Sequence, residues 1–355
     1  MLGWRRFLWV VCGAFFGVLA ALYLFIVLMN PYGNLPQILF SKHAITDVNQ
    51  RFQYPSLIRS GEFDSIVIGT SDARLLHPVA LEKVLGGRFA NLSMNSGLAW
   101  EQYQLANLFM RETPQPRTLL VALNHVWCDP KAVAKRKTFR GFPEWMYDDN
   151  PWNDFGNMLN SKSLEIGVRR LRTALGLKPG RFEAGYEVFT PPENEYDRVK
   201  VRKKIWGKRG PRKIEPAVPP YIPTAAERAA WQFPALDWLD DTLRKFPGRK
   251  VLAFMPAHIV AQPTPRTLAA ATEDECKARI AKIASRHGTS PVIDFRIRSP
   301  ITSNDDNYWD RLHYRLPIAD RLVMGIEQAL AGEENANGDW RVLEVPNLAS
   351  LSSSH

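Results

Sequence analysis

The chain has 355 residues, 45% of them hydrophobic, 11% aromatic and 23% charged, which excludes a disordered or collagen-like polymer and is enough for one large core. Cys12, Cys128 and Cys276 are too few for a disulfide-framework fold, and no cysteine–histidine cluster has zinc-ligand spacing. The net charge of +10 suggests an anionic partner or surface, so the position of that charge in the chain decides its meaning.

Residues 1–6 form a short basic N-terminus with Arg5 and Arg6, followed from Phe7 to Met29 by 23 residues without a charge. At 1.5 Å per residue such a helix crosses a hydrocarbon core of about 30 Å. The run is longer than the apolar core of a cleavable leader and ends without a small-residue cleavage site, so an uncleaved transmembrane anchor is expected at 7–29. Arg5 and Arg6 place the N-terminus in the cytosol and the remainder outside, although Lys42 and Arg51 weaken that bias. Residues 30–60 read as a stalk that opens on the turn Asn30-Pro31-Tyr32-Gly33.

A single α/β domain is expected over 61–330. Ser65–Gly69 is a β-branched run ending in Gly69-Thr70-Ser71-Asp72, and the apolar spacing through Leu81, Val84 and Leu85 predicts a helix directly after it. Further strands are predicted at 89–92, 118–123, 251–255 and 292–295, with helices at 100–111, 235–245, 273–286 and 317–330. Strands alternating with helices imply a parallel sheet covered on both faces. Residues 331–355 read as a weakly ordered tail.

From about 131 to 217 the alternation breaks down. This insertion holds 20 Lys and Arg against 11 Asp and Glu, and therefore nearly all of the net charge. Arg198 to Lys213 carries nine basic residues and no acid, with Trp206 among them. Three readings stand: a solvated loop or lipid-headgroup surface, a site gathering an anionic polymer or acceptor through Lys203, Lys204, Lys208 and Arg209, or a nucleic-acid site. The anchor argues against nucleic acid.

Ser71, presented where a strand turns into a helix, is a candidate nucleophile, although serine in that position is commonly only a helix cap. Near the other end of the chain, Asp310 stands three residues before His313, a spacing at which the carboxylate can hold the ring by one nitrogen and leave the other to take a serine proton. Gly97 and Asn124 follow the second and third strands and are candidate oxyanion donors. His125 and His258 also follow strand ends, where they either line the same cleft and bind substrate or are ordinary loop histidines. Cys128 and Cys276 can pair outside the membrane, against which Cys276 falls on an amphipathic helix.

These blocks together resemble the SGNH, or GDSL-like, hydrolase and acyltransferase superfamily, over roughly residues 64–130 and 250–330. Ile68-Gly69-Thr70-Ser71 is similar to its nucleophile block, Gly97 to its glycine block, Asn124 to its asparagine block, and Asp310 with His313 to its terminal DxxH block. Two positions depart from that pattern: Thr70 stands where the family usually has aspartate, and Ala122-Leu123-Asn124-His125 replaces a Gly-x-Asn-Asp. The single anchor and the order serine, aspartate, histidine resemble the DltD-like branch of envelope proteins. The resemblance implies a three-layer flavodoxin-like fold and a Ser-His-Asp acyl-enzyme acting on an O-acetyl or other small acyl group of an envelope saccharide or polymer. It implies a membrane-bound O-acyltransferase as partner and no metal or organic cofactor. The alternative is a non-catalytic envelope scaffold, or a polymer-binding protein, on the same fold.

Overall fold

The computed structural model describes residues 2–33, 49–177, 183–289 and 291–343. Residues 34–48 of the expected stalk and 344–355 of the expected tail lie outside the described residues. The chain divides into two compact units, one formed by 1–61 with 142–183 and the other by 62–141 with 184–355. The stretch read as one insertion is thus shared between them.

The first unit begins with helix α1 (Leu2–Met29), long and apolar enough to cross a membrane. Its first two-thirds are mostly exposed, whereas Ile26, Met29 and the following Asn30 are buried. Helix α2 (Gln50–Arg59) starts at Asn49, whose side chain accepts the Arg51 N–H. Tyr54, Leu57 and Ile58 on α2 supply much of this unit's core.

The second unit opens on strand β1 (Ser65–Ile68), a one-turn 3-10 helix at Ser71–Ala73, and helix α3 (Pro78–Leu85). The long helix expected directly after Ser71 is therefore displaced. The His77 side chain caps α3 by accepting the Val79 N–H, and Pro78 occupies its first turn, so the helix starts seven residues after the serine. Strand β2 (Phe89–Asn91), helix α4 (Ala99–Glu112) and strand β3 (Thr118–Leu123) follow.

Helices α5 (Pro151–Met158) and α6 (Ser161–Ala174) belong to the first unit. The chain then returns to the second. The basic stretch from Arg198 folds as helix α7 (Arg198–Trp206), because Asp197 caps its first turn and Val201, Ile205 and Trp206 bury one side. Next come α8 (Ala225–Ala230), α9 (Ala235–Lys245), strand β4 (Arg249–Phe254), α10 (Leu268–Arg286), strand β5 (Val292–Asp294), α11 (Pro300–Ser303) and α12 (Leu316–Ala331). Part of the expected weak tail is ordered, since Arg341–Leu343 adds strand β6.

The six strands form one sheet in the order β2-β1-β3-β4-β5-β6, with β1 to β5 parallel and β6 antiparallel to β5. Strands β1, β2, β3 and β5 are buried at every residue, which accounts for their mostly apolar composition. One core cluster joins Val67, Leu120, Val251 and Ile293 to Leu81 and Leu85 of α3 and to Leu322 and Ile326 of α12. The register aligns Ile68 with Val121 and Leu123 with Phe254, so the loops after β1, β3 and β4 leave from one edge. In open parallel sheets, that carboxyl edge is where ligands bind.

Cys128 and Cys276 form a disulfide that closes 148 residues of sequence. Helical placement does not prevent pairing, because Cys276 is on the buried side of α10 and Cys128 ends the 3-10 turn His125–Cys128 after β3.

Candidate active site

Gly69 is required by a close approach. A Cβ there would lie 2.9 Å from the Ala122 Cβ and 3.0 Å from the Ala73 Cβ, so β1 turns into the Ser71 segment tightly against β3. Buried Asn91 secures that segment from β2, since its amide donates to the Ala73 and Leu76 carbonyls, both at 2.9 Å. Ser71 itself is half-buried, and its main-chain N–H has no acceptor among the described residues.

Asp310 and His313 come to Ser71 on a loop closed by the antiparallel bridge between Tyr308 and Tyr314 and by the Trp309 N–H donating to the His313 carbonyl at 2.8 Å. Asp310 Oδ1 accepts the Leu312 and His313 N–H groups at 2.8 and 2.9 Å. Its Oδ2 lies 2.8 Å from His313 Nδ1, and His313 Nε2 lies 2.9 Å from Ser71 Oγ. The sequence-predicted serine, histidine and aspartate are thus brought together in one hydrogen-bonded chain. Burial raises the Asp310 pKa, but the hydrogen bond and charge of His313 and the two main-chain N–H groups outweigh it and hold the carboxyl below its ordinary value. An ionised Asp310 can only accept, so Nδ1 carries the imidazole proton and Nε2 is free to receive one from Ser71.

The other predicted donors have partners within the protein. The Gly97 N–H donates to the Met94 carbonyl at 3.0 Å. Asn124 donates its amide to Thr70 Oγ1 at 2.7 Å and to Asp72 Oδ2 at 2.9 Å, while its oxygen caps the following turn through the Val126 N–H. Thr70 in turn donates to Asp72 Oδ1 at 2.6 Å. Asn124 lies at the correct sheet edge with its amide turned onto Asp72. His125 stands beside it with an exposed ring.

His258 does not line the cleft. It is completely buried, with Nε2 3.1 Å from Asp305, Nδ1 accepting the Val260 N–H, and Trp206 and Tyr308 edge-on to its ring. Burial pushes its pKa below the ordinary histidine value despite the pull of Asp305. The same carboxylate accepts from the Trp206 indole at 2.8 Å and from Arg202 at 2.9 Å. Helix α7 is thereby fastened beside the Asp310–His313 loop, and Arg311 reinforces the contact by donating to the Ile205 carbonyl at 2.6 Å.

Between them runs a shallow groove of about 390 Å³ lined by Lys204, Val260, Ala261, Asp310, Arg311, Leu312 and His313. Of the predicted substrate-binding cations, Lys204 reaches this groove, while Lys203, Lys208 and Arg209 are exposed nearby on the same helical segment.

Sequence reasoning missed two contributors besides Asn91. Arg74, 2% exposed, donates to Asn95 at 2.8 Å, pairs with Glu187, and lies 4.6 Å from the Phe189 ring centroid. Phe189 meets the His313 ring edge-on at 5.3 Å. Phe189 therefore reaches the His313 ring from a stretch whose composition carried no signal, with Glu187 holding Arg74 beside it. Arg74 offered only its position three residues after Ser71.

No protein-family model matches the chain, and no curated protein matches it.

Proposed function

We propose that this protein is a membrane-anchored serine acyltransferase or esterase of the SGNH type, acting on an O-acetyl or other small acyl group of a cell-envelope saccharide or polymer. The observation that carries the reading is the continuous hydrogen-bonded chain from Ser71 through His313 to Asp310. The strand order β2-β1-β3-β4-β5 supports it, being that of flavodoxin-like doubly wound sheets, with the serine at the edge where such sheets bind ligands.

Ser71 Oγ attacks the acyl carbonyl as its proton passes to His313 Nε2, and ionised Asp310 stabilises the imidazolium. The oxyanion forms beside the Ser71 N–H, which has no acceptor among the described residues. His313 returns the proton to the departing alkoxide, leaving an ester on Ser71. An acceptor hydroxyl, or water, then gives its proton to His313 and attacks that ester, and the proton finally restores Ser71. Thr70 stands where the resemblance places an aspartate, and a carboxylate lies close by in Asp72, bonded to both Thr70 and Asn124.

The anchor reading puts the second unit on the periplasmic or extracellular side of the cytoplasmic membrane, with a membrane-bound O-acyltransferase as the partner. The Cys128–Cys276 disulfide supports this side, since such bonds persist in oxidising compartments. Lys204 and Arg311 in the groove beside His313 favour an anionic acceptor.

One observation favours the non-catalytic scaffold: the Asn124 amide must give up Thr70 or Asp72 before it can meet an oxyanion. A fluorophosphonate probe separates the two readings. The enzyme reading expects labelling of the detergent-solubilised protein at Ser71, abolished by Ser71→Ala and strongly reduced by His313→Ala. Folded wild-type protein that resists the probe under conditions labelling a control serine hydrolase supports the scaffold.

A further inference from the structure

Helices α5 and α6 share a compact unit with the apolar α1. Ser163 Oγ on α6 lies 2.9 Å from the Tyr32 hydroxyl, just past the end of α1. Four residues later Gly167 faces Phe25 and Met29, so closely that a Cβ would come within 3.2 Å of the Phe25 ring and 3.3 Å of the Met29 Cβ. α6 therefore runs antiparallel to α1, and its last turn heads back along the apolar run. α5 is tied to the same segment, as the Tyr23 hydroxyl donates to the Phe155 carbonyl at 3.2 Å.

The Tyr23 contact sets a depth for Phe155. Tyr23 precedes Met29, the last residue of the apolar run, by six residues, about 9 Å along a helix axis. Interfacial helices bury their apolar faces about 5–10 Å into the boundary between headgroups and acyl chains.

The side chains match such a boundary. Trp152, Leu175 and Leu177 are 80%, 61% and 70% exposed, and Phe155 and Leu159 are exposed as well. Between Pro151 and Leu177 four basic residues stand against two acidic ones. Arg170 sends its guanidinium back to the Asn30 carbonyl at 2.7 Å, toward the polar end of α1, as arginine does at membrane surfaces.

We propose that α5 and α6 form a second membrane contact, an interfacial hairpin seated in the leaflet from which α1 emerges, with Trp152, Phe155, Leu175 and Leu177 against lipid. The proposal rests on α1 spanning the bilayer.

The test uses full-length protein with one free thiol per variant, spin-labelled in detergent and reconstituted into phosphatidylethanolamine–phosphatidylglycerol vesicles. Cys12, the free cysteine of the wild type, reports on α1. Cys12→Ser combined with Trp152→Cys, and separately with Leu177→Cys, reports on the hairpin. Cys12→Ser with Ile222→Cys, 78% exposed in the other unit, is the aqueous reference. Collision with a water-soluble nickel chelate should fall several-fold at 152 and 177 relative to 222, and oxygen collision should dominate at Cys12. Nickel access at 152 and 177 equal to that at 222, with Cys12 shielded, overturns the hairpin and leaves the span standing. Nickel access at Cys12 itself overturns the span, and the proposal with it.

Discussion

The two oxygens of Asp310 are divided between the Leu312 and His313 main chain and the His313 ring, so one side chain sets both the shape of the loop and the tautomer of the imidazole. Its lowered pKa fixes the sign of the pH effect. The carboxylate's contribution is fully present above the ordinary carboxylate pKa and is lost as pH falls through the lowered value. Asp310→Asn keeps an oxygen for the main-chain N–H groups but turns an amide toward Nδ1, favouring the tautomer that cannot accept the serine proton. Turnover of a chromogenic ester should drop by about 10³–10⁴-fold, with thermal unfolding little changed. A loss of less than tenfold would show that His313 needs no orienting carboxylate.

Helix α7 shows what charge alone conceals. Asp305 takes Arg202, Trp206 and His258 and fixes the helix from within, while Lys203 is exposed on α7, Lys204 reaches the groove beside His313, and Lys208 and Arg209 are exposed in the 3-10 turn that follows. Changing those four to glutamate should leave fluorophosphonate labelling of Ser71 intact and abolish any acceleration of ester turnover by an anionic polysaccharide. An unchanged response to the polymer would make α7 a solvated surface. The run of lysines and arginines hid this helix from sequence reading, because only Val201, Ile205 and Trp206 supply apolar periodicity and Asp197 the cap. The buried strands were plain for the opposite reason. β3 and α9 match their expected bounds, since Thr118–Leu123 is apolar after its first residue and Ala235–Lys245 alternates at helical spacing. β6 is three residues long and antiparallel, and has too little pattern to be seen. Within the site, Ser71, Asp310 and His313 were legible because block position and spacing carry them. Asn91, Arg74 and Phe189 were not, because each acts through a contact distant in sequence.

At the scale of the whole molecule, one bridge and one apolar helix are the features on which the proposed location rests. Closing 148 residues gives the Cys128–Cys276 disulfide a chain-entropy contribution of about 5 kcal/mol. Reduction should therefore lower the unfolding temperature measurably, and it should do nothing to a Cys128→Ser, Cys276→Ser double variant. In sealed spheroplasts, added protease should digest the sheet-bearing unit while cytosolic markers survive, and thiol-trapping reagents added to intact cells should find both cysteines blocked. Protection from protease with both thiols reactive would place that unit in the cytosol and restore nucleic acid as a partner for α7. The division of residues 131–217 between two units was not legible, because the fit of Gly167 against Phe25 and Met29 depends on surfaces that meet only in three dimensions.

The central claim is that Ser71 carries the acyl group between donor and acceptor. Its most direct test is peptide mass spectrometry of the full-length protein, quenched in acid after a brief incubation with p-nitrophenyl acetate. The account predicts one acetyl group on the peptide containing Ser71, absent in Ser71→Ala and retained for longer when no acceptor is supplied. Wild-type protein that turns over the ester with no acetyl on that peptide at any quench time, or with acetyl on another residue that persists in Ser71→Ala, would contradict it.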